Sequence, residues 1–155
     1  MAATPRTYLV VIDESPESRT ALRFAARRAA KTGGQVALLA LVPPPEFVQW
    51  GGVQATIEEE ARERAEGLVA AVAGETIEDA GIRPSIIVKQ GDPVQSVRAL
   101  LAERPDVHAL VLGARAKGGP GPLVAYFAGE AAGNLPCPLM VVPGGLSDAA
   151  IDLLS

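Results

Sequence analysis

Val36-Ala37-Leu38-Leu39-Ala40-Leu41-Val42 decides the fold. A strand with one wet face alternates apolar and polar residues, whereas this stretch is apolar at every position, as a strand covered on both faces must be. It is also far shorter than the ~20 residues a membrane span needs. Just upstream, Gly33 is a helix stop, and the helix it closes begins at Ser15-Pro16. Serine caps the first turn and proline fits the first helical position, where its missing N–H costs nothing. Ala21, Leu22, Ala25 and Ala29 form the inward stripe of that helix, and Tyr8-Leu9-Val10-Val11-Ile12 before it is a second buried strand.

The same alternation continues downstream. A loop over 43–55 carries Phe47 and Trp50, candidates for an apolar lid or a partner contact as much as for packing. Thr56-Ile57-Glu58-Glu59 reads as a capping box that opens a helix with Ile57, Ala61, Ala65, Leu68 and Val72 inward. Gly67 and Gly74 weaken this helix. A third strand holds Ile86-Ile87-Val88. Asp92-Pro93 opens a helix with Val94, Val97, Leu100 and Leu101 inward that ends before Pro105. Strands are expected at about 7–13, 35–42, 83–90, 107–113 and 138–143, with a short helix between the last two and another from Ser147. Strand and helix in alternation give a three-layer α/β/α domain, a doubly wound parallel five-stranded sheet with right-handed crossovers, spanning 1–155 as a single unit. Val10, Val11, Leu39, Ala40, Leu110 and Val111 are expected to be buried on both faces. Such sheets bind ligands beyond the carboxyl ends of their strands, which directs attention to Asp13, Val42 and Gly113 onward.

Composition narrows the function. The 155 residues are 48% hydrophobic and only 4% aromatic, so aliphatic side chains and alanine build the core. A net charge of −4 leaves no positive field for nucleic acid or an anionic membrane. The single cysteine forms no internal disulfide and no zinc cluster. With no signal-peptide anatomy at Met1-Ala2-Ala3-Thr4-Pro5, a cytoplasmic protein is expected.

Several chemistries have no motif here: no G-x-x-x-x-G-K-[ST], no G-x-G-x-x-G after the first strand, no H-E-x-x-H and no G-x-S-x-G. His108 sits in the fourth strand with no visible nucleophile beside it, and Cys137 lies between two prolines. Both read as packing or surface residues. Asp13 is either a carboxylate offered to a ribose hydroxyl or a turn residue ahead of the Ser15 cap. Arg19, Arg23, Arg27 and Lys31 make a basic stripe that reads as a solvated helix face. The glutamates at 58, 59, 60, 63 and 66 complement a helix dipole. Gly113-Ala114-Arg115-Ala116-Lys117-Gly118-Gly119-Pro120-Gly121-Pro122 follows the fourth strand. Its glycines let backbone N–H groups approach an anion, Arg115 and Lys117 add charge, and each proline removes a donor.

Val10-Val11-Ile12-Asp13-Glu14-Ser15-Pro16, Gln90-Gly91-Asp92-Pro93, Val111-Leu112-Gly113 and Pro136-Cys137-Pro138-Leu139-Met140-Val141-Val142-Pro143, with the 37–42 strand, together resemble the universal stress protein family, over nearly the whole chain. The stretches 119–124 and 142–148 are similar to a proteobacterial branch of it. The resemblance implies an adenine nucleotide α-hydrolase-like sheet in the order 3-2-1-4-5, usually a dimer, and a stress-response role. It also implies a division between members that bind ATP and members that do not. ATP-binding members carry G-x-x-G followed at a fixed distance by G-[ST]. This chain keeps Gly113, has Ala116 at the second glycine, and has Tyr126-Phe127 or Ala125-Tyr126 in place of the final pair. Asp13 and Val42 match the family's ribose and adenine positions. The candidate pocket is therefore Asp13, Val42, Gly113, Arg115, Gly118 and Gly121. Its phosphate half is lost or rebuilt from 118–121.

The expected function is a non-enzymatic stress-response or signalling module with no resident cofactor, acting through dimerisation and an unidentified protein partner. The alternative is a sensor binding ATP or AMP, with slow ATP hydrolysis. A hydrolase of the related nucleotide group lacks any signature. Leu139-Met140-Val141-Val142, at a sheet edge in the implied strand order, carries no lysine or glutamate to discourage pairing. The expected cover for this edge is a symmetric second copy; the alternative cover is the C-terminal segment 147–154.

Overall fold

The computed structural model describes residues 5–43 and 51–155, with 51–55 described at the backbone only. Its elements are β1 (Thr7–Ile12), α1 (Pro16–Thr32), β2 (Gln35–Val42), α2 (Gly51–Ala80), β3 (Ser85–Gln90), α3 (Pro93–Glu103), β4 (Val107–Ala114), α4 (Pro122–Phe127), β5 (Leu139–Pro143) and α5 (Asp148–Leu154). The strands form one parallel sheet in the order β3-β2-β1-β4-β5. Every expected strand falls within two residues of its place.

The sheet is sandwiched because side chains alternate between two apolar layers. Val10, Ile12, Leu38, Ala40 and Val111 face α1, α2 and α5, where Leu22, Ala25, Val69, Val72 and Ile151 meet them. Leu9, Val11, Leu39, Leu110 and Leu112 face α3 and α4, packing on Val97, Leu100, Leu101 and Phe127. Burying each of these large aliphatic side chains is worth about 1.5–3 kcal/mol. The six residues expected to be buried on both faces are all buried.

Helix starts follow their caps. The Ser15 hydroxyl accepts from Ser18 N and Gly33 ends α1 at φ 69°, where glycine alone is unstrained. Asp92 caps α3 and Ser147 caps α5 in the same way. The exception is α2. It starts at Gly51, so Thr56 lies inside the helix and the capping box does not mark its first turn. No proline stands between 51 and 56, and each glycine costs a continuing helix only about 1 kcal/mol. At ~1.5 Å per residue α2 is about 45 Å long, against about 26 Å for β2, so its first turns overhang the sheet. That overhang leaves Ile57 54% exposed instead of inward. Phe47 and Trp50 lie outside the described residues.

At the other end of the chain, α5 docks on α1 and not along the outer edge of β5, where Val141 stays 40% exposed. Arg23 pairs through Nε and Nη2 with Asp152 at 2.9 and 3.0 Å, and Arg27 Nε lies 2.6 Å from the same carboxylate. Across the sheet's amino end, Thr7 donates to Asp106, which Arg104 grips at 2.8 Å through Nε and Nη2. Among the described residues no helix is long and apolar enough to cross a membrane.

Candidate functional site

Strand order reverses between β1 and β4, where the connections leave toward opposite faces of the sheet. The crevice at their carboxyl ends is where this architecture places ligands. It holds a cavity of about 100 Å³ lined by Asp13, Glu17, Gly113, Arg115 and Gly121 among others. A second cavity, of about 360 Å³, opens beside it past β1 and β2, lined by Asp13, Ala40, Leu41, Pro43, Arg64 and Leu68. Asp13 belongs to both.

Asp13 is exposed and serves its own turn. Its Oδ1 accepts from Ser15 N at 2.8 Å and from the Ser15 hydroxyl, while Asp13 N donates to Ser18 Oγ at 3.4 Å. The same carboxylate thus shapes the cap of α1 and borders both cavities, so its two expected roles coexist in one geometry.

Gly113 has a different task from the one its motif suggests. A Cβ there would lie 2.1 Å from the Glu17 carbonyl oxygen and 2.5 Å from its carbon. Gly144, after β5, is similar: a Cβ would lie 2.5 Å from Ala114 O and 2.8 Å from Glu17 Cβ. The first turn of α1 is therefore wedged between the ends of β4 and β5, and the space beside Gly113 is occupied by protein backbone.

Arg115 reaches toward this turn, its Nε 3.9 Å from Glu17 Oε1, and its backbone N–H donates to Pro120 O at 3.3 Å. Gly121, at φ 102°, lies against the Arg115 guanidinium. Gly118, at φ 80°, has open space around it and does not line the cavity. Val42 is 1% exposed and does not line the larger cavity, to which its neighbours Leu41 and Pro43 contribute. Of the six candidate residues, Asp13, Gly113, Arg115 and Gly121 come together; Val42 and Gly118 stand apart. Facing the smaller cavity are two carboxylates, Asp13 and Glu17, against one guanidinium. The helix beyond it, α4, opens on Pro122, which has no N–H to give.

His108 is exposed near the start of β4, its Nδ1 2.7 Å from Asp106 O and remote from the carboxyl ends. Cys137 packs at the rim of the α3/α4 layer, where burial pushes its thiol up. Among the described residues no cluster of histidine, cysteine and carboxylates has the makings of a metal site. Sequence reasoning missed Glu17 and Gly144, since their meeting with Gly113 joins distant parts of the chain. It also missed the pairing of the basic stripe: Arg19 and Lys31 are exposed as expected, but Arg19 bonds Glu75 at 2.6 Å, and the half-buried Arg23 and Arg27 hold Asp152. The only signal was the surplus of acids on the neighbouring helices.

The profile of the Universal stress protein family matches residues 5–143. No curated protein matches. Among solved structures, a universal stress protein UspA from Lactobacillus plantarum superposes with a TM-score of 0.75 at 17% identity, covering 91% of this chain and 99% of that one. A protein of the universal stress protein family from Burkholderia pseudomallei gives 0.69 at 15% identity, covering 92% and 99%. A family protein from Arabidopsis thaliana with AMP bound gives 0.58 at 15% identity, covering 90% and 92%. At these identities the likeness is one of fold.

Proposed function

The chain belongs to the universal stress protein family, and within it we propose a stress-response module that acts through self-association and protein contacts, without tight binding of ATP. The observation that carries this reading is the crevice between β1 and β4. Its cavity of about 100 Å³ is well under the ~300 Å³ at which ligand pockets begin. Glu17 backbone fills the space beside Gly113, and a triphosphate there would face the carboxylates of Asp13 and Glu17 with Arg115 as the one cation lining the cavity. Each missing charge-assisted donor costs on the order of 1.5–3 kcal/mol, so losing a pair lowers affinity about a hundredfold or more.

Self-association follows from the free edge of β5. Leu110 N donates to Pro138 O and Gly144 N to Ala114 O, so even-numbered residues of β5 turn their backbone groups toward β4. Leu139, Val141 and Pro143 turn theirs outward. An antiparallel copy centred on Val141 exchanges both Val141 hydrogen bonds with its counterpart and gives Leu139 N–H the carbonyl of Pro143 in the other copy. The contact is isologous, like most homodimer interfaces.

Titration calorimetry with Mg-ATP tests the first half: no heat at low-micromolar affinity is expected, and a low-micromolar dissociation constant overturns it. Light scattering at micromolar concentration tests the second: a mass of at least two copies for the native chain, and a smaller mass for Val141→Lys at the same concentration. A single-copy mass for the native chain at micromolar concentration overturns it.

A second reading has its own support, the cavity of about 360 Å³ that borders Asp13. Its size and half-apolar lining suit a nucleoside, and the Arabidopsis relative is a structure with AMP bound. In this reading the chain is a sensor for a monophosphate, with its base against Ala40 and Leu68 and its ribose at Asp13.

A further inference from the structure

Among the described residues the sheet has a second open edge, β3, and its backbone is more complete than that of β5. Gly91 N donates to Val42 O at 3.1 Å, just past the end of β3. The N–H and C=O of one strand residue point to the same side, and successive residues alternate. Ser85, Ile87 and Lys89 therefore bond β2, while Ile86, Val88 and Gln90 aim both their groups outward. None of these outward residues is proline.

The usual guards of an edge are a bulge, a proline within the strand or a free lysine. The register of β3 with β2 runs without interruption from Ser85 to Gln90. Pro84 precedes the strand. Lys89, the strand's single charge, leans back to Glu103 of α3 with Nζ 3.7 Å from Oε2. Apolar side chains also gather on this flank: Ile86 is 46% exposed, and on α2, which packs beside β3, Ile77 is 37% exposed.

We propose that the β3 edge is a second self-association surface, pairing antiparallel with β3 of another copy about a two-fold axis at Val88. In that register Val88 exchanges both hydrogen bonds with its counterpart, and Ile86 exchanges both with Gln90 of the second copy. Every outward donor and acceptor of the strand finds a partner, which β5 does not achieve because Pro143 has no N–H to offer Leu139. Lys89 falls opposite Ile87 and not opposite itself, so no like charges meet and its stem covers an apolar side chain. Ile86 and Ile77 from both copies close over the seam on the α2 side. The surface is independent of the β5 contact. With both in use, copies join edge to edge into an open row.

Sedimentation velocity on the full chain across a wide concentration range reads this out. The native chain is expected to pass beyond two copies as concentration rises. Val141→Lys is expected to stop at two copies, joined through β3, and Ile86→Lys to lose every species larger than two. Val141→Lys that stays single over the whole range, with a native circular dichroism spectrum, overturns the β3 proposal and leaves the β5 reading standing. The same variant staying single while capturing an extended apolar peptide assigns the edge to peptides, and overturns it equally. Register is checked by Ile86→Cys with Gln90→Cys under oxidation. Within one copy these positions are about 13 Å apart, beyond any disulfide, so the expected product is a covalent pair of chains. Absence of that product beyond the level given by the native chain refutes the register at Val88.

Discussion

Replacing Gly113 by alanine separates a glycine kept for packing from a glycine kept for a ligand. The added Cβ would stand 2.1 Å from the carbonyl oxygen of Glu17, in the first turn of α1. A carbon and an oxygen out of bonding contact need more than 3 Å, and the obstacle is backbone, which no rotamer change moves aside. Either α1 shifts outward or β4 bends. Overpacking of this kind costs about 1–3 kcal/mol. Moving the first turn of α1 also disturbs the Ser15 cap, whose loss is worth about 1 kcal/mol. The sum is about 3 kcal/mol, which in a chain of this length lowers the melting temperature by roughly 6–12 °C. Urea unfolding followed by circular dichroism measures it, with an unchanged slope expected. Gly118→Ala is the control. Its Cβ would meet nothing within 4 Å, so at φ 80° it pays only the left-handed strain of about 1 kcal/mol. Gly113→Ala no less stable than Gly118→Ala would refute the packing argument and return Gly113 to the role of a phosphate glycine.

Further outcomes follow from the site and from the ion pairs that brace the sheet. Asp13→Ala is expected to weaken any AMP binding detected by calorimetry at least tenfold, and unchanged affinity removes Asp13 from the ligand. Arg104 and Thr7 hold the Asp106 carboxyl down at about 2, so its contribution is full above the usual carboxylate range and fades as pH falls toward 2. With the side chain 32% exposed, screening leaves about 1 kcal/mol. Asp106→Asn should lose that much at pH 7 and match the native chain near pH 2; a loss independent of pH counts against the assignment. The Arg23 guanidinium likewise holds Asp152 below its ordinary range, so Asp152→Asn should lower the protection of α5 amides against exchange at neutral pH, and strongly acid pH should lower that protection, taken against the intrinsic rate at each pH, in the native chain. Unaltered exchange in the variant would show that the buried Ile151 suffices to hold the helix.

Legibility in the sequence tracked the range of the interaction. The strands were readable because burial on both faces removes alternation, a property of seven consecutive residues such as 36–42. Caps at Ser15, Asp92 and Ser147 were readable because a side chain bonds an amide three residues on. The start of α2 failed for the complementary reason. A capping box shows where a helix can begin, and the five residues before it held nothing to stop one from beginning earlier. The inward stripe holds where the helix lies over the sheet, with Val72 buried and Ala65 and Leu68 packed on the core; it fails at Ile57, on the overhang, and it omits Val69 and Ala73.

At the site, the glycine pattern was visible but its meaning was not. A glycine after a strand says only that something comes close, and close approach by a phosphate and by a helix look alike along one chain. Three distant segments decide the case: Glu17 enters from α1, Gly113 ends β4, and Gly144 follows β5. Once Glu17 occupies that notch, its carboxylate and that of Asp13 stand where a phosphate cradle would need donors. The substitution of Ala116 and the loss of the final G-[ST] pair then belong to one physical change. On the proposed reading, in which no triphosphate is held, the loop is free to use Pro120 and Pro122, whose missing donors then cost nothing. Among the described residues, the backbone hydrogen bonds still unspent in this sheet lie at its two edges, and the protein's contacts are best sought at β3 and β5.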